Sequence, residues 1–165
     1  MKPESVQWVE GGSELLDRIE PLWEQLRLHH WTVSRSFKPY YEQFSFAQRK
    51  AMLLAKARPE DIRVFLAVDS ASGRAVGQCV GTIHGTDGEL DTLFVESECR
   101  GLGIGEALAG RCLAWLKVQG AAVLRVGVAD GNEAAFGFYR RLGFVPRMTI
   151  LQIPPKKTEN SENNT

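Results

Sequence analysis

Three glycines that alternate with other residues make residues 100–105, R-G-L-G-I-G, the best candidate for an anion site in this sequence. The stretch joins an apolar, strand-like run that ends near Val95 to a helical run that begins near Glu106. A loop with so little side chain lets backbone N–H groups approach a ligand, and the positive end of the following helix dipole lies beside it. The loop could therefore hold a phosphate or pyrophosphate, or it could be a plain strand-to-helix turn.

Two other phosphate-binding loops do not match this stretch. A dinucleotide fingerprint, G-x-G-x-x-G, needs glycine where the chain has Glu106, counted from Gly101, or Leu108, counted from Gly103. A Walker loop ends in Gly-Lys-Ser/Thr, and the first lysine after the loop is Lys117. The pattern that fits is R/Q-x-x-G-x-G/A after a strand.

A second motif lies at residues 132–144, N-E-A-A-F-G-F-Y-R-R-L-G-F, which fits N-x-x-A-x-x-x-Y-x-x-x-G-F. A helical run and a strand-like run separate the two motifs. Together they span residues 90–144, about a third of the chain, and by them the sequence resembles the GNAT N-acetyltransferase superfamily. The resemblance implies an α/β GNAT fold, with a mixed, mostly antiparallel sheet of about six or seven strands flanked by about four helices.

The resemblance also implies acetyl-CoA as co-substrate and assigns residues to it. The glycine loop would hold the pyrophosphate. The backbone of the last residues of the preceding strand would pair with the amides of the pantetheine arm, which would lie beside it like an added strand. The second motif would also contact this arm. These expected cofactor-binding residues are Leu93, Phe94, Val95, Arg100, Gly101, Leu102, Gly103, Ile104, Gly105, Asn132, Phe138 and Tyr139. Asn132 could instead only cap the helix that follows it.

Acetyl transfer to an amine needs a base, because an alkylammonium with a pKa of roughly 10.4 is not nucleophilic. Glu89 and Asp91 are two residues apart on one predicted strand, which places them on one face with Leu93 and Val95. By its distance from Arg100, Glu89 matches the position where some members of the family carry the base. The alternative to a catalytic role is that either carboxylate is simply a solvated acidic residue at the start of the strand.

The resemblance assigns the second catalytic role to Tyr139, which would face the thioester sulfur as general acid. A phenol is a reasonable proton donor to a thiolate. The alternative is core packing, because Ala135, Phe138, Tyr139 and Leu142 have helical spacing. His29, His30, Trp31 and Tyr40 lie where the family's first two helices wall the acceptor pocket, although an aromatic-rich helix end on the surface would have the same sequence.

Composition excludes several other function classes. With 20 basic and 20 acidic residues the formal net charge is zero, which does not favour a nucleic-acid partner. Three cysteines without metal-ligand spacing do not favour a disulfide framework or a zinc site, and we expect no metal. No apolar run approaches a membrane span and the start of the chain lacks a signal-peptide core, so the predicted location is cytoplasmic, with no membrane partner.

Hydrophobic periodicity predicts a single domain over residues 1–153, followed by a polar, disordered tail at 154–165. The predicted order begins with a strand at 6–9, a helix capped by Ser13 and kinked or restarted at Pro21, and a helix at 40–57. A three-strand meander at 63–68, 75–84 and 89–95 follows, and then a helix that ends near Gly120. The last elements are a central strand at 123–128, the helix of the second motif up to Gly143, and a strand at 144–153.

The sequence thus predicts an acetyl-CoA-dependent N-acetyltransferase that acts on a primary amine of a small molecule by direct attack in a ternary complex. A protein lysine or N-terminal amine is the alternative acceptor. A catalytically idle acyl-CoA-binding regulatory domain is the alternative of another class, and a plain interaction module would bind no cofactor. A homodimer is possible, because dimers are frequent in the family. The acceptor, the length of the acyl group and the oligomeric state do not follow from the residues.

Overall fold

A five-stranded sheet lies at the centre of the computed structural model, which describes residues 5–156. Strands adjacent in the sheet are also consecutive in the chain: β1 (Val6–Gly11), β2 (Ile62–Asp69), β3 (Ala75–His84), β4 (Asp87–Val95) and β5 (Val123–Val126). All neighbours are antiparallel except β4 and β5, which are parallel. The sheet is mixed and mostly antiparallel as predicted, but the described residues contribute five strands rather than six or seven.

Five α-helices within the described residues accompany the sheet: α1 (Glu20–Val33), α2 (Lys38–Gln43), α3 (Phe46–Lys56), α4 (Ile104–Val118) and α5 (Ala135–Arg141). The prediction of one helix over 40–57 is wrong, because Ser45 starts a new helix. Its hydroxyl accepts from the Gln48 N–H at 3.3 Å, and the Gln48 side chain accepts from the Ser45 N–H at 2.8 Å. This capping box satisfies two backbone donors and fixes the start of α3.

The first helical run divides at Pro21, as predicted. Residues Ser13–Ile19 form a 3-10 helix, and α1 begins at Glu20 with proline in its first turn, where the missing N–H costs no hydrogen bond. The prediction of Ser13 as N-cap is wrong, because Gly12 occupies the cap position and its N–H donates to the Glu14 side chain at 2.8 Å.

Each face of the sheet is covered by its own apolar cluster. Helix α4 packs on one face, where Leu108, Cys112 and Leu116 are fully buried. The 3-10 helix, α1 and α3 cover the other face, with Leu16, Ile19 and Leu53 buried there. Since β2 and β3 are covered on both faces, their side chains are buried almost continuously along the strands.

The prediction of a last strand at 144–153 is wrong. Residues 144–156 carry no regular secondary structure, and most of their side chains are exposed. The strand predicted at 123–128 is present as β5, but it covers only four residues. Its predicted central place is wrong, because β4 is its single neighbour in the described part of the sheet. Of the tail predicted at 154–165, residues 154–156 are irregular, and the rest lies outside the described residues.

The loop between β5 and α5 lies directly against the C-terminal end of α1. Gly131 has φ +86°, and an added Cβ there would lie 2.0 Å from the carbonyl oxygen of Val33. Arg35 reinforces this contact: its guanidinium pairs with Asp130 at 2.5 Å and also with Glu133, and its N–H donates to Asp130 at 3.2 Å. The loop therefore needs glycine for both its conformation and its packing.

We expect Gly131→Ala to destabilise the fold more than Gly120→Ala. Both glycines have φ +86°, so both variants carry a left-handed penalty of about 1–2 kcal/mol, but an added Cβ at Gly120 meets no atom within 4 Å. The clash at Gly131 should add about 1–3 kcal/mol to the loss in free energy of unfolding. Denaturant unfolding of both variants checks this, and equal losses would contradict the close packing of the loop.

Candidate active site

Strand β4 has a free edge along its second half. It pairs with β5 only from Asp87, opposite Val123, to Leu90, opposite Val126. Beyond Leu90 the two strands are no longer paired, so the edge at residues 91–95 has no neighbour on that side among the described strands. A short 3-10 helix, Ser97–Cys99, follows the free edge and connects it to the glycine loop.

A β-bulge at Asp91 marks the point where the two strands part. The register with β3 passes from Gly81 opposite Leu90 to Val80 opposite Thr92, so Asp91 is an extra residue on β4. Asp91 and Thr92 consequently both face α1 and α3, where Thr92 Oγ1 accepts from buried Gln78 at 2.5 Å.

The predicted common face for the two carboxylates, Leu93 and Val95 is wrong, because the bulge shifts the alternation of side chains by one residue. Glu89 and Asp91 both contact α3. Leu93 and Val95 instead pack in the apolar cluster under α4. The two carboxylates therefore lie on the face of the sheet that α3 covers, and Leu93 and Val95 lie on the face that α4 covers.

Asp91 is the centre of a buried polar network. Its side chain is 2% exposed, accepts from Thr82 Oγ1 at 2.5 Å, and contacts Lys56 Nζ at 2.7 Å and the Arg49 guanidinium at 3.6 Å. Lys56 also pairs with Glu89 at 2.8 Å, and Arg49 donates to the Asp91 carbonyl at 2.8 Å. A buried carboxylate requires such partners, so Asp91 holds α3 against β4.

The two carboxylates differ in environment. Burial raises the pKa of Asp91, while Lys56 and the Thr82 hydroxyl act in the opposite direction. Glu89 is 33% exposed and opens into a cleft of about 240 Å³. Of the two, Glu89 is the one that a ligand or water can reach. The cleft is lined by Lys56, His84, Asp87, Gly88, Glu89 and Arg125.

The glycine loop has the geometry of an anion cradle. Gly101 and Gly103 both have φ +76°, and a Cβ added at either would meet no atom within 4 Å. Gly103 is the N-cap of α4, and no side chain within residues 5–156 caps this end of the helix. The N–H groups of its first turn and the positive helix dipole therefore face open space. These features fit the pyrophosphate of acetyl-CoA, and Gly101 to Gly105 would hold it.

The other predicted residues around the loop have their own contacts. Arg100 Nε donates to the carbonyl of Val95 at 3.0 Å, and its guanidinium lies 5.5 Å from the centre of the Phe94 ring. Leu102 and Phe138 pack against the cluster under α4, and Ile104 is part of it. A Cβ added at Gly105 would meet Phe138 at 3.3 Å, so this glycine allows α5 to lie close to the start of α4.

Tyr139 is partly buried on α5, with its ring edge-on to Phe138 and Phe144 at 5.2 and 6.0 Å. Burial raises the pKa of Tyr139 to about 12, and the nearby Cys79 adds to the rise. Cys79 is opposite Leu93 in the β3–β4 ladder, and both belong to the apolar cluster under α4. With this pKa Tyr139 is protonated at neutral pH and can donate a proton.

Asn132 and His29 are brought together by the packing of the β5–α5 loop on α1. His29 Nε2 and Asn132 Oδ1 form a hydrogen-bonded pair 3.2 Å apart. The N-cap of α5 is Ala134, so the alternative that Asn132 only caps this helix is wrong. The amide of Asn132 is therefore oriented by α1 rather than by its own helix.

The remaining predicted acceptor residues contact side chains in or next to α2. The His30 ring lies 5.5 Å from Tyr41, and burial, assisted by His29, lowers the pKa of His30 to about 4, so the ring is neutral at neutral pH. Tyr40 stacks on Phe44 at 4.9 Å. Trp31 donates to Glu42 at 3.0 Å. These side chains join α1 to α2. Of the four predicted acceptor residues, His29 is the one with a hydrogen bond to the second motif.

Three residues that the sequence prediction missed organise this region: Lys56 and Arg49 at the bulge, and Arg35 beside the second motif. No local pattern identifies them, because each pairs with a carboxylate more than 30 residues away. Within residues 5–156 there is no cluster of three or more His, Cys, Asp or Glu side chains placed to bind a metal ion. No helix in that same range is long and apolar enough to cross a membrane.

The raised pKa of Asp91 predicts a pH effect on stability. The pKa of Asp91 in the folded protein lies above the unfolded value of about 3.9. The contribution of Asp91 to the free energy of unfolding is therefore largest at low pH, and it is lost as the pH rises through the folded-state pKa. Between about pH 7 and about pH 4, wild type should therefore gain free energy of unfolding relative to Asp91→Asn. Unfolding curves for both proteins across this range check the sign, and a constant difference would contradict it.

Comparison with known proteins gives the same architecture. The model of the Acetyltransferase (GNAT) family matches residues 21–144. A putative acetyl transferase from Pyrococcus furiosus is 22% identical with a TM-score of 0.70, over 90% of this chain and 100% of that one. The PaiA N-acetyltransferase of Thermoplasma acidophilum, in complex with coenzyme A, is 20% identical with a TM-score of 0.71, over 88% and 93% of the two chains.

The aminoglycoside N-acetyltransferase AAC(6')-Iy, also in complex with CoA, is 16% identical with a TM-score of 0.62, over 91% of this chain and 99% of its own. At these identities the solved structures establish a shared fold. The family model is more specific, because it covers most of the chain and includes both motifs. The chain therefore belongs to the GNAT acetyltransferase family.

Proposed function

We propose that this protein transfers the acetyl group of acetyl-CoA to a primary amine of a small molecule, by direct attack in a ternary complex without a covalent enzyme intermediate. The observation that carries the proposal is the free edge of β4 at residues 91–95, which only a short 3-10 helix, Ser97–Cys99, separates from the uncapped glycine loop. An extended pantetheine arm would add to this edge as a strand, and its pyrophosphate would lie at the start of α4.

Glu89 is the proposed base. A bound thioester supplies an activated acetyl carbon, so the chain has to position the amine and accept its proton. Glu89 lies two residues before Asp91, where β4 and β5 part, and its carboxylate is accessible from the cleft. It would take the proton of the ammonium directly or through water. Asp91 is a positioning residue in this proposal, because its contacts hold Lys56 beside Glu89.

Tyr139 is the proposed acid. As the amine nitrogen bonds to the acetyl carbon and the carbon–sulfur bond breaks, Tyr139 would give its proton to the departing sulfur, and the phenolate would take up the second proton that the nitrogen loses on becoming an amide. A pKa of about 12 means that Tyr139 carries its proton at neutral pH before the reaction begins. Asn132, oriented by His29, would contact the arm of the cofactor.

A small-molecule amine is the acceptor that we favour. The aromatic rings at the end of α1 contact those of α2, which places an aromatic wall on this side, and Glu89 offers negative charge to an ammonium. The structural neighbour AAC(6')-Iy is named an aminoglycoside N-acetyltransferase, which supports an amine as acceptor. An idle acyl-CoA-binding domain is the second candidate, because Lys56 already pairs with the proposed base.

Binding of acetyl-CoA should raise the melting temperature. At about 100 times the dissociation constant the stabilisation is about 2.7 kcal/mol, or roughly 5–10 °C for a chain of this length. Acetyl-CoA and CoA should both produce the shift, and ATP should not. Absence of a shift at millimolar acetyl-CoA would refute the cofactor site.

Glu89→Gln and Tyr139→Phe should each lower kcat by roughly 10²–10⁴-fold while the thermal shift with acetyl-CoA is kept. Release of CoA thiol, measured over a panel of amines, is the readout. Glu60→Gln is the matched control, since Glu60 is an exposed carboxylate that also pairs with a basic side chain, Arg58. If Glu89→Gln turned over at the wild-type rate, Glu89 would be ruled out as the base. A thermal shift without turnover on any amine would favour the idle binding domain.

A further inference from the structure

The cleft that contains Glu89 is lined by basic as well as acidic side chains. Lys56 lies on one side of Glu89, with its Nζ 2.8 Å from the carboxylate. On the neighbouring strand, Arg125 is the residue directly opposite Glu89 in the β4–β5 ladder. Positive charge repels an ammonium, so binding of the acceptor amine alone does not explain why two basic side chains flank the proposed base.

Arg125 is held at the cleft by the alternation of side chains along β5. Leu124 and Val126 pack against the cluster under α4. Arg125 lies between them in the sequence and therefore faces the other side of the sheet, as Glu89 does. Its side chain is 53% exposed and pairs at 2.7 Å with Asp87, which is 49% exposed. An exposed pair of this kind is weak, and a guanidinium has enough N–H donors to bind a further carboxylate.

Lys56 is not free to leave Glu89 when an amine arrives. Its Nζ also lies 2.7 Å from the buried carboxylate of Asp91. Removing one partner of a buried ion pair is strongly destabilising, so this contact keeps the ammonium of Lys56 in place. An acceptor amine would therefore share Glu89 with a resident positive charge.

The charges of the cleft and of the network behind it balance one another. With histidine counted as neutral, three acidic and three basic side chains among the described residues contribute: Asp87, Glu89, Asp91, Arg49, Lys56 and Arg125. A simple ammonium would add one uncompensated positive charge, and a polyamine would add several. An acceptor that carries a carboxylate beside its ammonium would leave the balance unchanged.

The size of the cleft also restricts the acceptor. Its volume of about 240 Å³ lies below the roughly 300–1,000 Å³ of pockets that enclose drug-sized ligands. A small zwitterion suits this volume better than a large acceptor does. The two charged groups of such a molecule need to lie only as far apart as Glu89 and Arg125 on adjacent strands, which are separated by about 4.8 Å.

We propose that the acceptor is an amino acid, and that Arg125 selects it by binding its carboxylate while Glu89 receives its ammonium. This inference rests on the proposed function and names the substrate class of the same site. Transfer would give an N-acetylated amino acid and CoA. Amines without an acidic group, and polycations above all, would be poorer acceptors.

Matched pairs of acceptors test the role of the carboxylate. Release of CoA thiol from acetyl-CoA is measured with the standard L-α-amino acids, with their C-terminal amides, which keep the amine but lose the negative charge, and with spermidine as a polycation. In the wild type, kcat/KM for the preferred amino acid should exceed that for its amide by roughly 10-fold or more, because the amide cannot form the charged hydrogen bonds to Arg125. Spermidine should be the poorest acceptor.

Arg125→Gln should abolish the preference by lowering kcat/KM for the amino acid but not for its amide. Arg58→Gln is the matched control, since Arg58 is also an exposed arginine paired with an aspartate, Asp61, at 2.7 Å, and this variant should keep the preference. Circular dichroism checks that each variant is folded. Equal kcat/KM for acid and amide in the wild type, or a preference that survives in Arg125→Gln, would overturn the inference.

A binding measurement separates failure of this inference from failure of the proposed function. Saturation-transfer NMR detects binding of the same amino acids to protein saturated with CoA, and the signal should be reduced in Arg125→Gln. Such binding without turnover would refute acetyl transfer and retain the amino acid as ligand. Turnover of amines without any preference for a carboxylate would retain acetyl transfer and refute the amino acid as acceptor. Neither binding nor turnover of amino acids would also refute it.

Discussion

The extra residue that β4 carries at Asp91 is the constraint on which the rest of the site depends. Because of this bulge, Asp91 and Thr92 face the same side of the sheet, and the acidic start of β4 is separated from its apolar end. A carboxylate that is 2% exposed cannot remain unpaired, so Lys56 and Arg49 hold α3 against the sheet. The free edge of β4 begins at the same position.

A second constraint is the seating of the β5–α5 loop on α1. Gly131 allows the backbones to touch, and Arg35 joins the end of α1 to both Asp130 and Glu133. This contact places Asn132 against His29 and sets the start of the helix that carries Tyr139. The first two helices, which belong to the acceptor side in the proposed function, are thereby tied to the cofactor side.

The edge of the sheet is where the fold is least complete. Within residues 5–156, strand β5 is short and has one neighbour, while an apolar run with the character of a strand lies unpaired a few residues after α5.

The sequence by itself determined the features that depend on local chemistry. The glycine spacing placed the loop at the start of α4, the bounds of β3 agree with the predicted strand at 75–84, and Pro21 divides the first helical run. Only the tertiary structure decided which side of the sheet each carboxylate faces and whether 144–153 is a strand. A bulge is defined against a partner strand, and strand pairing needs an edge supplied from elsewhere. Neither is encoded in the spacing of residues along one segment.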